Sequence, residues 1–417
     1  GGGSGGVLAV KILHLADIHI DAHRKTAGQV RLAPDGRPWG IAATDAACRA
    51  LVKRAGAVDL YLIAGDLFDR ATPTGAEERA AIDLVADLAD LAPVVVVAGN
   101  HDIPNTSGST ALECLRRRPR IYVVERPQML AFAVSGGGAC LVSGEPGDRV
   151  DVALACVPYP RRAELARGGQ TRTQEERNAV ASEALRQVIA ALKVKAAQCG
   201  DPLTRRVLCY HGSIGGAAIR DQPRSLAGDI VIDVPDLAGW DYVACGHIHQ
   251  QQEIAPGIWY SGSPERCGFG EQGEPKGAIV VGFKQQKCTI TPVVNEAATE
   301  HVTLSPSGVA AAELEHGIAY RLKGIVAPDE ALELRRQIAH WQEGGAWVVD
   351  ALEVQREVRV RDSLAHAQES SAELLRRWLD GRGEVETIAE QFTTPAGDVV
   401  DEVCDLHRSV EDGSCDH

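Results

Sequence analysis

Short apolar, β-branched runs recur along the chain from Val7 to about residue 300, each stopped by Gly, Asp or Asn and followed by a polar connection. Leu8 to Ala16, Leu60 to Ala64, Val94 to Ala98, Val207 to Tyr210 and Tyr242 to Cys245 are too short for helices and read as buried strands. Ala153 to Pro158 and Ala278 to Phe283 extend the set. Between them, Ala76 to Leu91 and Glu175 to Val194 carry apolar residues at helical spacing against charged opposite faces, so both read as amphipathic helices. The alternation predicts an α/β domain over residues 7–300.

Beyond residue 300 the pattern changes. From Ala319 to about Arg359 it reads strand, helix (Asp329 to Trp341), strand, without a reactive cluster, which predicts a small α/β cap domain over residues 301–360. After Arg361 it turns helical, notably through Ala372-Glu373-Leu374-Leu375-Arg376-Arg377-Trp378-Leu379, and stops at Gly381 and Gly383. Residues 361–417 are therefore read as an acidic helical tail whose apolar face needs a partner. Gly1 to Gly6 have the composition of a flexible linker and are set outside the fold as an engineered segment.

Charge alters the picture only once it is located. The net charge of −14 argues against a general nucleic-acid binder, but residues 361–417 alone hold 14 Asp/Glu against five Arg. The body is far less acidic and includes the basic run Arg116-Arg117-Arg118-Pro119-Arg120, which could touch DNA phosphates but reads more simply as a solvated helix end. No apolar run reaches the roughly 18 residues of a membrane span, so no membrane association and a cytoplasmic location are expected. The 11 cysteines are scattered, with no C-x-x-C pair, and read as reduced, buried thiols.

Five polar clusters stand at the ends of five of the strands: Asp17-x-His19, Gly65-Asp66-Leu67-Phe68-Asp69, Gly99-Asn100-His101-Asp102, Tyr210-His211-Gly212 and Gly246-His247-x-His249. In open α/β sheets the carboxyl ends of strands are where ligands collect. Alternate residues of an extended segment point the same way, so the D-x-H and H-x-H spacings suit shared ligation of one ion. Carboxylate, amide and imidazole donors suit a first-row divalent ion, Mn2+ foremost with Fe2+, Mg2+ and Zn2+ as alternatives, and no cysteine is needed. Neither Ser213 nor Ser261 sits in a G-x-S-x-G nucleophile motif, and Gly136-Gly137-Gly138 lacks the Lys of a phosphate-binding loop and reads as a turn.

In their order these five motifs resemble the calcineurin-type metallophosphoesterase superfamily. The resemblance implies a two-sheet sandwich flanked by helices. It implies one ion held by Asp17, His19, Asp66 and His249 and a second by Asp66, Asn100, His211 and His247, with Asp66 as the bridge. His101 then contacts the scissile phosphate and assists the leaving oxygen, while Asp69 and Asp102 orient the ligands from behind or cap a helix.

Tyr260-Ser261-Gly262-Ser263-Pro264-Glu265-Arg266, Phe269-Gly270-Glu271 and Glu274-Pro275-Lys276-Gly277 further resemble SbcD-type nucleases. This implies a homodimeric, metal-dependent DNA exonuclease and endonuclease whose C-terminal helices bind an SbcC-type ATPase. A small-molecule phosphodiesterase or phosphatase on the same centre is the alternative. A scaffold that has lost its metals would lack ligands, and all seven positions carry competent side chains.

Overall fold

Strands form where successive residues find apolar surroundings on alternate sides, and the long apolar runs of this chain satisfy that on both faces of a sheet. The computed structural model describes residues 9–355 apart from 23–30, 105–108, 136–137, 146–147, 162–172, 219–228, 285–286, 312–313 and 316. The opening linker, the anticipated helix at Ala372 to Leu379 and the acidic tail lie outside the described residues.

The first sheet has six strands: β1 (Val10–Leu15), β2 (Leu60–Ala64), β3 (Val94–Val97), β4 (Ile121–Val124), β14 (Gly277–Lys284) and β15 (Lys287–Val294). In the order β15-β14-β1-β2-β3-β4, strands β1 to β4 run parallel, β14 pairs antiparallel with β1, and β15 pairs antiparallel with β14. The second sheet has seven: β5 (Gln128–Ser135), β6 (Gly138–Val142), β7 (Val152–Val157), β8 (Arg205–His211), β11 (Tyr242–Gly246), β12 (Gln252–Ala255) and β13 (Ile258–Tyr260), ordered β12-β13-β11-β8-β7-β5-β6. Here β7, β8, β11 and β13 are parallel. A two-stranded ribbon pairs β9 (Ser213–Ile214) with β10 (Val231–Ile232).

Period-two alternation divides the core into layers. Ile12, Leu60, Leu62, Val95 and Val97 face Phe132, Leu154, Val207, Cys209 and Tyr242 between the sheets. Their neighbours Leu13, Leu15, Tyr61, Ile63, Val94 and Val96 face outward onto two helices, α1 (Trp39–Ala55) and α2 (Gly75–Leu91). Every residue of β3 is fully buried, and each such valine contributes about 1.5–3 kcal/mol of transfer free energy. On the far side of the second sheet, α3 (Gln174–Gln198) packs Ala181, Leu185, Ile189 and Leu192 against Leu208, Tyr210 and Val243. The result is the helix-flanked two-sheet sandwich expected from sequence.

Helix α2 starts at Thr74, whose side chain accepts the Glu77 N–H while Glu77 accepts the Thr74 N–H, and α3 starts in the same way at Thr173 with Glu176. Neither Asp69 nor Asp102 caps these two helices. The segment after residue 300 forms β16 (His301–Leu304), β17 (Ala319–Val326), α4 (Pro328–Glu343) and β18 (Trp347–Val354), a parallel three-stranded sheet with its own core of Tyr320, Leu322, Val326, Ile338 and Val348. It meets the sandwich through Trp39 and Trp347, whose rings lie 4.0 Å apart.

The nine described cysteines are all free. Cys48, Cys156, Cys209 and Cys245 are buried as expected, whereas Cys140 is exposed. Among the described residues no helix is long and apolar enough to cross a membrane.

Candidate metal centre

The carboxyl ends of β1, β2, β8 and β11 meet at one point because glycines let them. A Cβ on Gly99 would lie 2.1 Å from Asp66 Oδ1, and one on Gly65, where φ is +93°, would lie 2.0 Å from His211 Nδ1. The Asp17 N–H donates to Gly65 O and the His19 N–H to Asp66 O, both at 3.0 Å, so the first two clusters are laced together by backbone. Asp17, His19, Asp66 and His247 have φ of 52°, 49°, 51° and 105°, a left-handed region that costs about 1–3 kcal/mol for non-glycine residues. The extended geometry anticipated for D-x-H and H-x-H is thereby corrected: the side chains converge through tight left-handed turns.

All seven anticipated donors gather around Asp66, which is 2% exposed. Asp66 Oδ2 lies 3.3 Å from His211 Nε2 and 3.8 Å from His19 Nε2. Asn100 Oδ1 lies 3.1 Å from His211 Nε2 and 2.9 Å from His247 Nδ1. His19 Nε2 faces His249 Nε2 at 3.0 Å, and the Asp17 carboxylate accepts the His247 N–H. Donor atoms of Asp17, His19 and Asp66, and of Asp66, His211 and His247, form two groups each within 4.8 Å. Two acidic groups, an amide oxygen and four imidazoles, sharing one carboxylate, fit a pair of divalent ions.

In His211 and His249 the ring nitrogens that face away are held by acceptors, which fixes their tautomers. His211 Nδ1 donates to Ala64 O at 2.7 Å, and His249 Nδ1 donates to Glu271 Oε1 at 2.7 Å. Behind His19, Asp69 Oδ1 stands 3.2 Å from Nδ1. Among the described residues Asp102 faces no imidazole at hydrogen-bond range; it accepts the N–H groups of Phe68 at 3.0 Å, Gly99 at 2.9 Å and Leu67 at 3.3 Å, tying two of the loops together. His101 is the exposed member of the cluster: its N–H donates to Asp66 Oδ1 at 2.8 Å, and its Nδ1 donates to Asp69 O at 2.6 Å.

Charge follows from these contacts. Burial opposes ionisation of Asp66, yet His211, His19 and His101 hold its carboxyl well below the usual range. Burial likewise opposes a charge on His211, but Asp66 and Asp17 outweigh it and lift the imidazole to about 9. Asp102 is pushed up to about 7 by burial and by the Asp66 charge, against its backbone donors.

Three contacts here are not legible as roles in the sequence. Glu271 and Lys276 stand out there only as part of a family-like segment; Lys276 Nζ, fully buried, lies 2.6 Å from Glu271 Oε2 and completes a Lys–Glu–His chain onto His249. Cys267 Sγ lies in one group with His19 and His249, although the five motifs need no cysteine. Asp229 Oδ2 lies 3.7 Å from His247 Nε2 and accepts from Ser213. The Arg116 to Arg120 run leads into β4: Arg116 pairs with Glu113 and with Glu125, which follows the carboxyl end of that strand, while Arg120 O accepts the Val94 N–H at its amino end.

The profile of the calcineurin-like phosphoesterase family matches residues 10–251, which span this cluster almost entirely. Two proteins named as SbcD components of the nuclease SbcCD are similar to the chain. That of Bacillus subtilis is 27% identical over 294 residues, 66% of this chain and 66% of its own length. That of Rhodobacter capsulatus is 25% identical over 310 residues, 71% of this chain and 69% of its own length. The chain therefore spans about two thirds of the length of these relatives.

Proposed function

We propose that this chain, which belongs to the calcineurin-like phosphoesterase family, is a metal-dependent nuclease that hydrolyses phosphodiester bonds of DNA. The observation that carries the reading is the convergence on Asp66 of donors from five strand ends. Asp17, His19, Asp66 and His249 would hold one ion, and Asp66, Asn100, His211 and His247 the other, Mn2+ suiting the mixed oxygen and nitrogen donors. When bound, two such ions supply an acidified water and neutralise the charge that builds on the phosphate during displacement.

The protein's own groups do the rest. Asp69 and Glu271 hold the imidazoles of His19 and His249 in the orientation that aims their Nε2 atoms inward. His101 is positioned by its two hydrogen bonds so that, when protonated, its Nε2 meets a phosphate oxygen and passes a proton to the leaving oxygen. Asp102 keeps the Asp66 and Asn100 loops in register.

A nucleic-acid substrate is supported by the names of the two similar proteins, each a nuclease subunit, and DNA by the resemblance of the segment Tyr260 to Gly277 to SbcD-type nucleases. On this reading the chain trims duplex ends and cuts single-stranded or hairpin DNA. It acts as a homodimer with an SbcC-type ATPase, residues 301–360 serving as a cap and 361–417 as the ATPase-binding tail. The test sets an end-labelled duplex beside a chromogenic small phosphodiester, each with Mn2+, Mg2+ or chelator. Mn2+-dependent shortening of the duplex is expected; cleavage of the small diester alone contradicts the DNA assignment and favours the small-molecule alternative.

A further inference from the structure

We infer that Cys267 is an additional, soft ligand of the ion held by His19 and His249, an inference that rests on the metal-centre reading and deepens it. Its Sγ and one ring nitrogen of each of those two histidines lie within 4.8 Å of one another. The Nε2 atoms of His19 and His249 face each other at 3.0 Å, and His249 Nδ1 is already committed to Glu271, so His249 presents a lone pair to that point. Converging lone pairs with a thiol beside them describe a ligand set for a cation.

The thiol is placed by the same device that places the imidazole. The Cys267 N–H donates to Glu271 Oε2 at 3.0 Å, while Glu271 Oε1 holds His249. Lys276 Nζ, fully buried, fixes that carboxylate at 2.6 Å and is itself held by Glu274 at 3.1 Å. One Lys–Glu pair thus sets two donors on one side of the centre. On binding, the thiol releases its proton to solvent and the sulfur enters as thiolate. A thiolate among imidazoles and carboxylates moves the preference of this position toward Zn2+ or Co2+ and away from Mg2+.

The full-length protein is loaded with Co2+ and its absorption recorded, and a Zn2+-loaded sample is measured by X-ray absorption. The native protein is expected to show sulfur-to-cobalt charge transfer and a sulfur scatterer at about 2.3 Å from zinc. In Cys267→Ser both signals are lost while cobalt d–d absorption persists, and the Zn2+-over-Mg2+ affinity ratio falls by at least the roughly tenfold that even an orienting residue is worth. Cobalt bound without charge transfer, or charge transfer unchanged in Cys267→Ser, overturns the role of Cys267 and leaves the metal centre standing. Failure of the native protein to bind cobalt at all overturns both.

Discussion

Glu271 Oε1 takes the Nδ1 proton of His249 at 2.7 Å, and this single contact decides which nitrogen of that ring faces the centre. Glu271 lies 22 residues beyond its partner and is locked in turn by buried Lys276. Its carboxyl is held well below the usual range: burial works against ionisation, and His249 and Lys276 outweigh it. Glu271→Gln is expected to weaken one of two metal-binding steps by about 10- to 100-fold, with the other step unchanged. Calorimetric titration of the metal-free protein resolves the two steps; equal weakening of both would remove the assigned link to His249.

Gly99 offers a sharper perturbation because the space it leaves is already taken. A methyl group there would meet Asp66 Oδ1 at 2.1 Å and the Asp66 backbone nitrogen at 2.3 Å. Gly99→Ala should displace the shared carboxylate and reduce phosphodiesterase activity by about 100-fold or more, with the circular dichroism spectrum of the native fold retained. Undiminished activity would show that Asp66 need not stand where the structure puts it.

Asp102 is expected to act on stability first. Its buried carboxylate satisfies the N–H groups of Leu67, Phe68 and Gly99, and leaving buried donors unpaired costs about 1–3 kcal/mol each. Asp102→Ala should lower the unfolding free energy of the metal-free protein by about 3 kcal/mol. Denaturant unfolding in chelator measures this, and a change below about 0.5 kcal/mol would match an ordinary surface position instead.

The pH dependence follows from His211. Its folded pKa of about 9 lies above the unfolded value near 6.5, so the stabilisation it supplies to the metal-free protein is complete below about pH 6.5 and is lost as pH rises through about 9. The same proton must leave before Nε2 can bind a cation. Metal affinity should therefore rise by about tenfold per pH unit between about 7 and 9, with proton release on binding. Titration in buffers of differing ionisation enthalpy detects the release; affinity flat over this range would contradict a charged His211.

Much of the sandwich is legible in the sequence because its strands are buried on both faces, which leaves continuous apolar runs such as Val94 to Ala98 bounded by Pro93 and Gly99. Helix α1 is not legible as an element: it packs through Ala47, Cys48 and Ala55 as well as Ile41 and Leu51, and small residues mark a buried face weakly. The strands β5 and β6 escape notice for a related reason, since few of their residues are buried and their pattern resembles a loop. The five motifs locate the site because ligands follow strand ends. Its supporting residues, Glu271, Lys276 and Cys267, arrive from a loop after β13 whose path no local periodicity encodes. The left-handed turns at Asp17 and Asp66 are hidden likewise, since nothing but tertiary packing makes a non-glycine residue adopt them.

The most direct test of the centre is the count of metal ions per chain, taken by elemental analysis after Mn2+ loading and dialysis, for the native protein and for Asp66→Asn. With Asp66 shared between two ligand groups, the native protein is expected to hold two ions and the variant to fall short of two while remaining folded. Equal metal content in both proteins, or none in the native one, would contradict the centre described around Asp66.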